Sequence, residues 1–131
     1  MPEPANPRFA VIIPAFNAAA TLRQAVDSVL AQTYAPREVI VIDDGSTDAT
    51  VEVARSYGTR VTLISQGNSG VSEARNAGAR AASAEWLCFL DADDWYYPER
   101  LAAYAAMIRE VPELDFLTGD FDYVDAQGNH L

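Results

Sequence analysis

Positive charge is what this chain has least of: nine Lys and Arg stand against 19 Asp and Glu, giving a formal charge of -10 and a pI near 4.3. A nucleic-acid groove needs surplus cations to displace counterions, so that class of partner is excluded. Cysteine is reduced to Cys88, set inside an apolar run. A lone thiol cannot pair within the chain, which rules out a disulfide framework and gives no sign of an oxidising compartment. No apolar run is long enough to span a bilayer, and residues 1–8, a polar leader with three prolines, do not resemble a signal peptide. The expected location is the cytoplasm, with peripheral contact at the inner face of a membrane left open through regions outside this chain. No phosphate-loop lysine follows Gly67, Gly70 or Gly78, so these glycines read as turn and close-packing positions. Repeats, linkers and low-complexity segments are also missing, and residues 9–131 are expected to form one unit.

What is present begins with an ordinary globular composition, 50% hydrophobic and 21% charged, in 131 residues. That length supports a single core burying about two-thirds of the unfolded surface. The chain is organised around residues 86–95, where Trp86, Leu87, Cys88, Phe89 and Leu90 run into Asp91, Ala92, Asp93, Asp94 and Trp95. Such a run predicts a fully buried strand that delivers acids to a sheet edge. Three carboxylates within four residues repel one another, an arrangement suited to a hard divalent cation with oxygen ligands. The expected ligand is a phosphorylated molecule held through that metal.

The rest of the chain supplies a scaffold. Residues 9–13 predict a central strand stopped by Pro14, and Asn17 can cap a helix whose Leu22, Ala25, Val26, Val29 and Leu30 form one stripe. Val39 to Ile42 predict a second strand ending at Asp43 and Asp44, followed by a Gly45 turn and a Ser- or Thr-capped helix closed by Gly58. A weaker third strand is expected from Arg60 to Ile64, and a small-residue helix carries Arg75 and Gly78. Pro98 predicts the first turn of a helix with Leu101, Tyr104, Ala105 and Ile108 on one face, ended by Pro112. A final strand is expected over 116–124, with a hairpin turn at 125–129. Alternating strands and helices predict a doubly wound, mostly parallel α/β sheet, in which ligands bind beyond the carboxyl ends of the strands. The loops after strands one, two and four therefore converge.

Four motifs then carry a resemblance. Residues 11–17 (Val-Ile-Ile-Pro-Ala-Phe-Asn), 41–48 (Val-Ile-Asp-Asp-Gly-Ser-Thr-Asp), 67–78 (Gly-Asn-Ser-Gly-Val-Ser-Glu-Ala-Arg-Asn-Ala-Gly) and 89–94 (Phe-Leu-Asp-Ala-Asp-Asp) resemble, in order, family 2 inverting glycosyltransferases of the GT-A fold. The resemblance implies that Pro14, Phe16, Asn17, Asp43 and Asp44 surround the nucleotide base of a sugar donor, most often a uridine diphosphate sugar. It implies Asp91 near the ribose and metal, Asp93 as a ligand of Mn²⁺ or Mg²⁺, and Arg75 near the phosphates or acids. It further implies transfer to a saccharide or lipid-linked acceptor, in polysaccharide biosynthesis. Family members take the general base and acceptor site from a second half, so the chain resembles an apparently truncated, donor-binding portion and no base is assigned. An exposed apolar edge near 116–124, favouring self-association, follows from the same expectation.

Plainer readings accompany these. Asp94 suits a helix cap, Asp43 an Asp-Gly turn, Asn17 a cap and not a ligand, and Arg75 a structural ion pair. Phe16 either stacks on a base or fills its loop, and residues 95–97 offer a sugar platform or packing. Two other functions compete: a module that binds nucleotide and metal without turnover, and a haloacid-dehalogenase-like phosphatase with Asp91 as nucleophile. The phosphatase family places its acids on the first strand, whereas here they follow the fourth.

Overall fold

The computed structural model describes residues 6–119 and 122–131. A run such as Phe9 to Ala15, with no polar side chain to turn outward, needs cover on both faces, and the sheet supplies it. Strand β1 (Phe9–Ala15) lies between β2 (Glu38–Asp43) and β4 (Trp86–Phe89), and β3 (Thr62–Ser65) extends the far side of β2. The order is β3-β2-β1-β4, every pairing parallel. Alternate residues of β1 enter separate cores. Phe9, Val11, Ile13 and Ala15 pack among Leu22, Val26 and Val29 of α1 (Leu22–Leu30), Ala54 of α2 (Thr50–Arg55) and Leu101 of α4 (Arg100–Glu110). Ile12, with Ile40 and Ile42 of β2, packs against Ala74 of α3 (Val71–Ala81) on the opposite face. Leu22, Val26 and Val29 are each worth about 1.5–3 kcal/mol when fully buried, which is what holds α1 down.

Helices on both faces make the sheet doubly wound. Gly78 sets the closeness of α3, because a Cβ there would collide with the Ile12 side chain. The third strand starts two residues later than its hydrophobicity suggests, after a short 3-10 turn at Gly58–Arg60. Gly58 has the expected positive φ of 61° but opens that turn and does not close α2, whose C-cap is Ser56.

Other expectations need correction. Asn17 does not cap α1: the N-cap is Thr21, without a side-chain cap bond, because the Asn17 side chain is spent on the neighbouring loop. No Ser or Thr caps α2; the Asp48 carboxylate accepts the Thr50 N–H instead, at 2.9 Å. Pro98 lies just ahead of α4 and not within it, whereas Pro112 does follow the end of that helix. Strand β4 is not fully buried. It is an edge strand, α3 packs chiefly on β1 and β2, and Leu87 and Phe89 are left 40% and 45% exposed. The strand expected over 116–124 does not form among the described residues, and residues 120 and 121 fall outside them. The turn at 125–129 does form, closed by an antiparallel bridge between Val124 and His130 and by Asp125 N–H donating to the Asn129 carbonyl at 2.9 Å.

Candidate active site

Strands β2 and β3 run outward from one side of β1, and the chain then crosses to the other side to form β4. The reversal falls between β1 and β4, and crevices at such a point, beyond the carboxyl strand ends, are where doubly wound sheets bind ligands. Two backbone bonds fix the acids around the tip of β1. Asp44 N–H donates to the Ala15 carbonyl at 2.9 Å, and Leu90 N–H donates to the Ile12 carbonyl at 3.0 Å. Asp43 and Asp44 therefore leave one flank of β1 and residues 91–94 leave the other, on the same rim of the sheet.

Beside β4 that rim opens into a cleft of ≈ 670 Å³, whose walls include Asp91, Asp93, Asp94, Arg75, Tyr97 and Asp122. Carboxylate oxygens of Asp91, Asp93 and Asp94 lie within 4.8 Å of one another, all three side chains exposed. A tight turn makes this possible, Asp94 N–H donating to the Asp91 carbonyl at 3.0 Å. Asp94 is held above the ordinary carboxylate range, first by desolvation and then by the charges of Asp93 and Asp91. It caps no helix, since α4 begins at Arg100. Oxygen donors in a cluster, short of positive charge and open to solvent, fit an octahedral ion that keeps waters and shares its shell with phosphate. Arg75, near the start of α3, reaches Asp91 with one guanidinium nitrogen at 3.1 Å. Both partners are well exposed, so the pair aims Asp91 more than it stabilises the fold.

On the other flank the polar groups are tied to one another. The Asn17 Oδ1 accepts the Thr47 N–H at 2.8 Å and the Asp48 N–H at 3.4 Å, while Asn17 N–H donates to Ser46 Oγ at 2.9 Å. Its φ of 47° is one that Asn tolerates better than most residues. Asp43 is buried and accepts the Ser46 N–H at 3.3 Å, the plainer turn role. Asp44, also buried, accepts Gln66 Nε2 at 2.9 Å and Ser69 N–H at 2.8 Å on one oxygen, and Gly70 N–H at 3.0 Å on the other. The Gln66 bond, followed by that from Ser69, holds its carboxyl below the ordinary range. Asp44 thus fastens the loop that leads into α3 and so places Arg75. Pro14 is buried in β1, and Phe16 stands 49% exposed at the loop tip. None of Pro14, Phe16, Asn17, Asp43 and Asp44 lines the cleft itself.

The sequence matches the family model "Glycosyl transferase family 2" over residues 10–129. The chain belongs to this family. It is 40% identical over 106 residues, 79% of its length, to the glycosyltransferase YibD of Escherichia coli strain K12, of which it covers 31%. Among solved structures it is similar to S. aureus TarS 1-349 in complex with UDP-GlcNAc (TM-score 0.71, 33% identity), covering 79% of this chain and 31% of that one. It is also similar to the mannosyltransferase PcManGT of Pyrobaculum calidifontis in complex with GDP-Man and Mn²⁺ (TM-score 0.70, 30% identity), covering 82% of this chain and 33% of that one. The chain thus spans about a third of each of these proteins, and its α/β sheet is that of GT-A glycosyltransferases.

Seen as a family 2 fold, the cleft has two contributors that sequence reading passed over, Asp122 and Arg100, beside Tyr97, which it weighed as a sugar platform or packing. Tyr97 and Asp122 join across it, the Tyr97 hydroxyl donating to Asp122 Oδ2 at 2.9 Å. Arg100 lies in its wall, stacked on Tyr96 and Tyr104. The buried Tyr96 packs and donates its hydroxyl to the Phe89 carbonyl at 3.0 Å, so of the aromatic trio residues 96 and 97 have opposite roles. No signal in the sequence singled out Arg100, two residues beyond Pro98 on a helix that also carries Arg109 and Glu110. Among the described residues no helix is long and apolar enough to cross a membrane.

Proposed function

We propose that residues 9–131 are the nucleotide-sugar-binding part of an inverting glycosyltransferase that moves a sugar from a nucleoside diphosphate to a hydroxyl of a saccharide or lipid-linked acceptor, in the biosynthesis of polysaccharide. The observation that carries this reading is the convergence of Asp91, Asp93 and Asp94 on the lip of a cleft at the strand-order reversal, with Arg75 set on Asp91. Family membership and the nucleotide-bound neighbours support it.

In this reading Asp93 and Asp91 hold Mn²⁺ or Mg²⁺, which supplies Lewis-acid stabilisation of the departing diphosphate. Arg75 keeps Asp91 turned toward the ion and offers its remaining donors to phosphate oxygens. The base lies beyond the tip of β1. There Pro14 and Asn17 shape the loop, the exposed Phe16 ring offers a stacking face, and Asp43 and Asp44 hold the adjoining loops in place. Uracil is the preferred base, and a neighbour carrying GDP-Man makes guanine the competitor to test against it. A thermal-shift panel of uridine, guanosine and thymidine diphosphates and their sugars, with Mn²⁺, Mg²⁺ or chelator, tests donor class, base and ion together. The reading predicts stabilisation by uridine nucleotides that requires a divalent ion. Stabilisation by none of them, or by all equally with chelator present, would overturn it.

A further inference from the structure

We propose that Arg100 is a second anion-binding point of the cleft, recognising a carboxylate or phosphate that the ligand carries outside its diphosphate; the inference rests on the donor-site reading above. Arg100 is the first residue of α4, and its side chain lies in the cleft wall. Its guanidinium carbon sits 4.7 Å from the Tyr96 ring centroid and 5.0 Å from that of Tyr104, both rings buried. Stacking of this kind repays part of the cost of withdrawing a cation from water. The Tyr96 and Tyr104 hydroxyls also offer it neutral acceptors, but no counter-charge. Nε is buried without a hydrogen-bond partner, and no carboxylate among the described residues pairs with the group.

Arg75, the other arginine of the cleft, is paired with Asp91. Arg100 is not within ion-pair distance of Asp91, Asp93 or Asp94, so the cleft carries an acidic lip and, apart from it, a cation with no counter-ion among the described residues. Gly119 lies beside that cation: a Cβ there would stand 3.6 Å from Arg100 Nη1, in ordinary contact, and 3.3 Å from the Tyr104 hydroxyl. A half-buried cation with one unsatisfied nitrogen and no carboxylate beside it among the described residues is costly in the empty protein, and an acidic ligand group facing it from the cleft relieves that cost. A ligand whose diphosphate is engaged at the acidic lip would meet Arg100 with a further acidic group, either on the transferred sugar or on the acceptor.

Calorimetry on the full 131-residue chain with saturating Mn²⁺ separates the sources. In the donor arm UDP-glucuronate is compared with UDP-glucose. In the acceptor arm glucuronate is compared with glucose on the chain already saturated with UDP. One charge-assisted hydrogen bond predicts a preference for the acidic compound of about tenfold to a hundredfold in one arm. In Arg100→Gln that ratio falls to near one, and Arg100→Lys, which keeps charge without the fork, retains part of it. Equal affinities in both arms, or an Arg100→Gln variant that weakens acidic and neutral compounds alike as a packing role would, overturn the inference. Failure of UDP-glucose itself to bind overturns the donor-site reading, and this inference with it.

Discussion

Asp44→Asn gives a direct reading of how the second strand serves the site. The carboxylate receives three hydrogen bonds, from Gln66 Nε2, Ser69 N–H and Gly70 N–H, at 2.8 to 3.0 Å. An amide of the same shape has one accepting atom. If it keeps the Gln66 and Ser69 bonds, its NH₂ faces the Gly70 N–H, donor against donor, and the bonds it keeps lose the negative charge. A bond to a charged acceptor contributes about 1.5–3 kcal/mol, and the loop amides, exposed at Ser69 and Gly70, regain part of this from water. The expected loss is about 2 kcal/mol, or roughly 8 °C in Tm for a chain of this size. The sign of its pH dependence follows from the lowered pKa. The contribution is complete above the ordinary carboxylate range and is lost as pH falls through the depressed folded value, so parent and variant converge in acid. Urea melts followed by tryptophan fluorescence at neutral and acid pH, with hydrogen exchange at Ser69 and Gly70, measure it. An unchanged midpoint together with unchanged exchange, or a gap that persists in strong acid, would refute the reasoning.

Gly78→Val should cost at least about 1–3 kcal/mol, read by urea melts, because the added carbons meet Ile12 across a helix already seated on the sheet; a neutral result would mean α3 stands farther off. Asn17→Ala should destabilise by about 1 kcal/mol more than Asn17→Gly, since both lose the Oδ1 bonds from Thr47 and Asp48 but only alanine resists the positive φ. Equal losses in melts of the two variants would remove strain from the account. Leu87 and Phe89, exposed on the uncovered face of β4, should drive self-association visible by light scattering, and Phe89→Lys should reduce it. A parent that stays monomeric at high concentration would contradict that.

Most of the scaffold was legible because fully apolar strands and 3.6-residue stripes have few other structural meanings. Residues 9–13 and 39–42 became the central strands, and Leu22, Ala25, Val26 and Val29 became the buried face of α1. Strand ends were legible too, since acids need the polar partners that loops supply at the end of an apolar run, and this put residues 43–44 and 91–94 on one rim. What escaped was whatever depended on tertiary partners. Asn17 has a capping residue's chemistry but finds stronger donors in a loop 30 residues away. Apolarity alone does not reveal that β4 is an edge, because the pattern of Leu87 and Phe89 reads the same with or without cover. Arg100 drew no reading from the sequence, because only folding sets it between two tyrosines.

The central claim is tested most directly by titrating UDP into the parent chain and into Asp93→Ala, in Mn²⁺ and in chelator, by calorimetry. Asp93 ends no core contact and is exposed, so the variant should melt like the parent. The account predicts binding by the parent in Mn²⁺ and loss of that binding both on chelation and in the variant. Equal UDP affinity in all four titrations would contradict it.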